Sequence, residues 1–150
     1  MVEKDVERLS RAVDRDISAK DYASALHQAQ LGVELALKGI YDLTGIKYAK
    51  VHDVGKLIGD VPSMFNKQIK KKNPRRIDEQ TFRVLLAKVS VALRILTSVR
   101  EYVTYASEEL GVAASSLFDE RVGEPLARIA RRWLKDASFV LSVVQSEYDL

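Results

Sequence analysis

Two histidines and no cysteine leave this chain few residues with reactive side chains. His52 stands beside Asp53, just past a helical pattern that breaks at Gly45, and opens a short apolar turn of Val54, Leu57 and Ile58. A histidine there can serve as general acid or base, or contact a phosphate, because its ordinary pKa lies near neutrality. It can equally fix the helix connection by a hydrogen bond to backbone. Lys47 precedes it, with four residues between. A second group, His27, Gln30, Glu34 and Lys38, recurs at intervals of three and four, so its members line up on one helix face. That row could hold a ligand inside a bundle or across a dimer. Its plain alternative is a surface ion pair between Glu34 and Lys38, worth about 0.3–0.5 kcal/mol. The third group is a cluster of cations, Lys67, Lys70, Lys71, Lys72, Arg75 and Arg76, with no acid among them. Phe65 is the only aromatic near it. Charge without interleaved aromatics favours contact with a nucleic-acid backbone over base stacking; a solvated loop is the alternative. Arg128, Arg131 and Arg132 could extend that surface or pair with Glu108, Glu109, Asp119 and Glu120.

Other chemistries are excluded by composition. Without cysteine there is no disulfide and no thiolate metal site, and two histidines argue against a dedicated transition-metal centre. There is no glycine-rich phosphate loop of the P-loop or dinucleotide-binding kind. Serine, histidine and aspartate show no triad-like arrangement, and the carboxylates are spread along helix faces. No metal and no cofactor is called for. The net charge of +3 is concentrated in the cationic cluster, so the rest of the chain is slightly acidic.

These groups are carried by helices. Tyr22, Leu26, Ala29, Val33, Ala36, Ile40 and Leu43 follow alternating four- and three-residue spacings, the seam of a helix packed in a bundle. Asp21 fits its N-cap and Gly45 its C-terminal cap. Gly32 within it costs about 1 kcal/mol relative to alanine and would admit a close neighbour. Residues 2–19 predict an earlier helix with a stripe of Val2, Val6, Leu9, Val13 and Ile17. A short helix is expected from Pro62 to Lys72, stopped at Asn73-Pro74. Ile77–Leu110 predicts the longest helix, with Phe82, Leu85, Val89, Ala92, Leu96, Val99, Val103, Ala106 and Leu110 in a heptad seam. Val84, Val91, Ile95 and Tyr102 form a second apolar row on another face, which calls for a covering partner helix. Residues 112–124 read as a loop, and Pro125 as the first turn of a last helix striped by Leu126, Ile129, Trp133, Ala137, Val140 and Val144. With 150 residues and 47% hydrophobic content, the expectation is one all-α domain spanning residues 1–150, an up-and-down four-helix bundle with an extra short helix. No apolar run approaches the ~20 residues needed to span a bilayer, and the charged start lacks a signal-peptide core, so a cytoplasmic protein is expected.

The stretch from Asp21 to Ile58 resembles the HEPN domain. The residues that carry the resemblance are the Asp21-Tyr22 entry, then Ala25, Ala29, Glu34 and Lys38, and after Gly45 the His52-Asp53-Val54 run with Leu57-Ile58. The resemblance implies a helical bundle. It also implies metal-independent ribonuclease activity in many relatives, through an arginine followed after four to six residues by a histidine late in the domain. This chain departs from that motif: nothing after His52 is histidine, and Leu126, Ala127 and Arg128 stand where one would follow Arg121. Lys47 and His52 echo the spacing in the wrong part of the chain, and lysine cannot supply a bidentate phosphate contact.

The reading is therefore a HEPN-like nucleotide- or RNA-binding module without efficient catalysis. It would act through the row His27, Gln30, Glu34 and Lys38, with His52 and the cationic cluster. The enzymatic alternative is a ribonuclease toxin of a toxin–antitoxin pair, with His52 and Lys47 as catalytic candidates; the resemblance implies a nucleotidyltransferase antitoxin as its partner. A structural protein that self-associates through the second apolar row is the third reading. A homodimer is expected in each, and no membrane partner.

Overall fold

The computed structural model describes residues 2–48, 58–69 and 78–148. It is all-α, with α1 (Val2–Ser18), α2 (Tyr22–Thr44), the short α3 (Val61–Ile69), α4 (Glu79–Leu110) and α5 (Glu120–Tyr148). A 3-10 turn over Ala114–Leu117 joins α4 to α5. His52, Lys70, Lys71, Lys72, Arg75 and Arg76 lie outside the described residues, as does the side chain of Lys67.

α2 is the axis of the bundle, packed against α1, α3, α4 and α5. Its whole expected seam is buried except the half-buried Leu43, and Ala25, Gly32, Leu37, Gly39 and Tyr41 are buried as well. Small residues let the neighbours close in. A Cβ on Gly32 would sit 2.5 Å from Leu134 Cδ1, so α5 crosses α2 where no side chain separates them. A Cβ on Gly123 would lie 2.7 Å from Tyr22 Cδ2, and the first turn of α5 presses on the start of α2 there.

Caps set the helix ends. Asp21 accepts the amide of Ser24 at 3.2 Å and starts α2. Gly45, at φ 75°, ends it, with the Ile46 amide returning to the Tyr41 carbonyl at 2.9 Å. This is the left-handed cap geometry that glycine adopts without steric cost. α1 ends the same way on Lys20 (φ 60°), whose Nζ reaches Glu120 at 2.6 Å. α4 begins at Glu79 because Asp78 accepts the Thr81 amide at 2.9 Å. Phe65 of α3 stacks on Phe82 of α4, with centroids 4.7 Å apart, and both are fully buried.

Expectations for two helices need correction. On α5, Ile129 of the expected stripe is exposed, and Ala127, Ala130 and Leu134 are buried in its place. α5 starts at Glu120, so Pro125 lies inside the helix instead of in its first turn. Asp119 explains this: its carboxylate accepts the Val122 amide at 3.0 Å and nucleates the helix upstream of the proline. The other helix is α4. Phe82, Leu86, Val89, Ala92, Leu93 and Leu96 are its buried residues, whereas Leu110 at the end of the expected seam is exposed. Ala106 and Ser107 are half-buried near that end, so Leu110 lies on the solvent side of the last turn. Val84, Val91, Ile95 and Tyr102 are exposed in the single chain. Among the described residues no helix is long and apolar enough to cross a membrane.

Candidate functional site

The polar row of α2 does not lie on open surface. Gln30 is only 4% exposed, and His27, Glu34 and Lys38 are half-buried. Gln30 is held from both ends. Its Oε1 accepts from Arg100 Nη1 of α4 at 3.1 Å, and its Nε2 donates to Glu34 Oε2 at 3.3 Å. A guanidinium only donates and a carboxylate only accepts, so these two neighbours fix which way the amide points. Glu34 in turn pairs with Lys38 at 3.4 Å. The row is thus one relay from Arg100 through Gln30 and Glu34 to Lys38. It includes the Glu34–Lys38 ion pair expected from the spacing, and it gains an arginine from another helix.

A cavity of about 290 Å³ opens between α2 and α4 beside this relay. His27 and Arg100 supply its two ionisable walls. Leu26, Leu96, Val99, Val103 and Phe118 make the apolar remainder, with Ala23, Thr104 and Ala114 completing it. Its size is at the small end of ligand pockets, which run about 300–1,000 Å³. Burial, and then the Arg100 charge, push the His27 pKa below its ordinary value, so the imidazole is neutral at pH 7. A neutral imidazole both donates and accepts, and Arg100 offers a fork of donors suited to a phosphate. The pocket pairs apolar walls with an anion-directed group.

The other candidates are dispersed. Glu34 and Lys38 are about two and three helical turns further along α2 from His27 and do not line the cavity. Lys47 is exposed beyond the C-terminus of α2, an end that lies about 25 Å along the axis from His27 at 1.5 Å per residue. The adjacent Tyr48 folds back on α2, its ring 5.8 Å from Tyr41 and its hydroxyl donating to Asp42 at 3.4 Å. Arg128 and Arg131 of α5 pair, but not with the acids expected. Arg128 takes Glu124 at 2.8 Å, one turn before it, and Arg131 takes Asp14 of α1 at 3.3 Å. Proximity within the helix and the packing of α1 on α5 decide those partners. No group of three or more His, Asp or Glu side chains among the described residues could hold a metal ion.

Arg100 is the site residue that the sequence alone does not single out. It falls on the core face of a long helix, four residues after Leu96 and three before Val103, and only the packing of α4 on α2 brings it to Gln30. A lone arginine toward the core side of an amphipathic helix is the one signal that could have marked it.

The HEPN domain family model matches residues 6–148, nearly the whole chain. Neither the curated proteins nor the solved structures compared with the chain give a match.

Proposed function

The chain belongs to the HEPN family, and from that premise we propose that it is a binding module for a nucleotide or a nucleotide unit of RNA, taken between α2 and α4. One observation carries the reading: His27 and Arg100 meet at a cavity whose other walls are mainly apolar. The apolar walls of Leu96, Val99 and Phe118 suit the faces of a base. Arg100, oriented by its bond to Gln30, suits a phosphate. Orientation before binding lowers the entropy lost on binding. The cationic cluster from Lys67 to Arg76 would add sequence-independent attraction for an RNA backbone. The test is titration with a nucleoside monophosphate and with a short single-stranded RNA, each against wild type and Arg100→Gln. Saturable binding that weakens in the variant supports the reading.

The same pair of residues supports a second reading, metal-independent RNA cleavage. A neutral histidine can take the proton of an attacking 2′-hydroxyl, and an arginine can stabilise the charge that develops on phosphate. Here the two groups come from different helices and not from one short motif. Cleavage of RNA, with a 2′-deoxy strand left intact and with activity abolished in His27→Gln, would decide for catalysis.

The chain also forms a homodimer in this proposal, through the exposed apolar row of α4, where Val91 is 53% and Tyr102 75% exposed. Light scattering at micromolar concentration tests it. Val91→Glu with Ile95→Lys is expected to leave a folded monomer.

A further inference from the structure

We infer that the second copy docks antiparallel, α4 against α4, in a two-fold arrangement that sets the basic half of each helix beside the acidic half of the other. The inference rests on the homodimer reading above and deepens it to a geometry. Two independent features of α4 carry it. The first is the continuity of the apolar row. Val84, Val91, Ile95 and Tyr102 follow spacings of seven, four and seven on the side opposite the buried Phe82, Val89 and Leu93. That is a seam for one more helix at coiled-coil spacing. It spans about 27 Å along the axis, at 1.5 Å per residue.

The second feature is the order of charges beside that seam. Lys88 and Arg94 are exposed along the N-terminal half of α4, where Arg83 is already paired with Glu79 at 3.0 Å, and Glu101, Glu108 and Glu109 are exposed along the C-terminal half. Arg100, the cation of the C-terminal half, is turned to Gln30 on another face. A parallel pair would set cations against cations and acids against acids. An antiparallel pair sets Arg94 near Glu101 of the second copy, twice by symmetry, and Val91 beside Tyr102 of the second copy. Two-fold contacts of this kind are self-complementary, and charge order along a helix selects orientation more strongly than it adds affinity.

The chain has no cysteine, so single cysteines report the geometry cleanly. Val91→Cys and Tyr102→Cys are prepared separately, with an affinity tag on one, then oxidised alone and as an equal mixture. The antiparallel geometry gives the mixed disulfide in the mixture and little self-crosslinking of either variant alone, because each residue then lies about 16 Å along the axis from its own copy. Self-crosslinking of Val91→Cys as the main product overturns the inference in favour of parallel helices. Light scattering of the uncrosslinked chain separates the two levels. A dimer that forms no mixed disulfide overturns the α4 geometry and leaves the homodimer standing, whereas a monomer removes both. As a second measurement, Arg94→Glu should weaken dimerisation and Arg94→Glu with Glu101→Arg should restore it; an unchanged dimer in both variants also overturns the charge argument.

Discussion

Arg100 donates to Gln30 at 3.1 Å across 70 positions of sequence, and this bond ties the longest helix to the central one at the edge of the α2–α4 cavity. Gln30 is nearly fully buried, so the bond matters to the fold as well as to the site. Arg100→Ala is expected to destabilise the protein by about 1–3 kcal/mol, the usual cost of leaving a buried acceptor unpaired. Adding Gln30→Leu should recover part of that stability, because removing both partners leaves less unsatisfied. Chemical denaturation of the two variants checks it.

The lowered pKa of His27 makes stability pH-dependent in a defined direction. In the unfolded chain the imidazole titrates near the ordinary 6.5, and in the folded chain below it. Between the two values the unfolded state binds more protons, so stability falls as pH drops through 6.5 and continues to fall until the folded-state pKa is passed. Well above 6.5 this contribution is constant. Denaturation midpoints at pH 7.5 and 5.5 should therefore differ more in wild type than in His27→Gln.

Much of the fold is legible in the sequence because local signals agree with it. The four-three spacing of α2, its Asp21 and Gly45 caps and the glycine stop of α4 are all properties of neighbouring residues, and the structure has them. Gly32 reads as a point of close approach, and Leu134 fills that approach. Pro125 misleads for a local reason: Asp119 already caps the helix upstream of it. The site is less legible. His27 and Gln30 can be placed on one face from their spacing, but the partner that organises them comes from α4. No periodicity within α2 carries information about it. Nor can spacing decide which apolar row of α4 meets the core, since Leu96 and Ile95 are alike in chemistry and differ only in which side packs.

Gly32→Ala is expected to destabilise the bundle by up to about 2 kcal/mol net, the roughly 1–3 kcal/mol for overfilling a packed core less the ~1 kcal/mol by which alanine is the better helix former. The new methyl would meet Leu134 Cδ1 at 2.5 Å, and Leu134 is fully buried and has little room to turn. Combining Gly32→Ala with Leu134→Ala should show coupling, the pair costing less than the sum of the single changes. Thermal melts of the four proteins in that cycle measure it.

Replacing Lys70, Lys71, Lys72, Arg75 and Arg76 with glutamine is expected to reduce the salt dependence of RNA binding. Each phosphate that is no longer neutralised takes about one unit off the slope of log affinity against log salt. The affinity for a nucleoside monophosphate should stay as it was, because the small ligand is held by the α2–α4 cavity. An RNA affinity and slope that do not change would make the cluster a solvated loop.

The most direct test of the account is calorimetric titration of wild type and Arg100→Gln with adenosine 5′-monophosphate. Saturable binding is expected to wild type, weakened in the variant by roughly ten- to hundred-fold, as the removal of a charge-assisted hydrogen bond of about 1.5–3 kcal/mol requires. Absence of binding to wild type, or equal binding to both proteins, would contradict the assignment of the α2–α4 cavity as a nucleotide site.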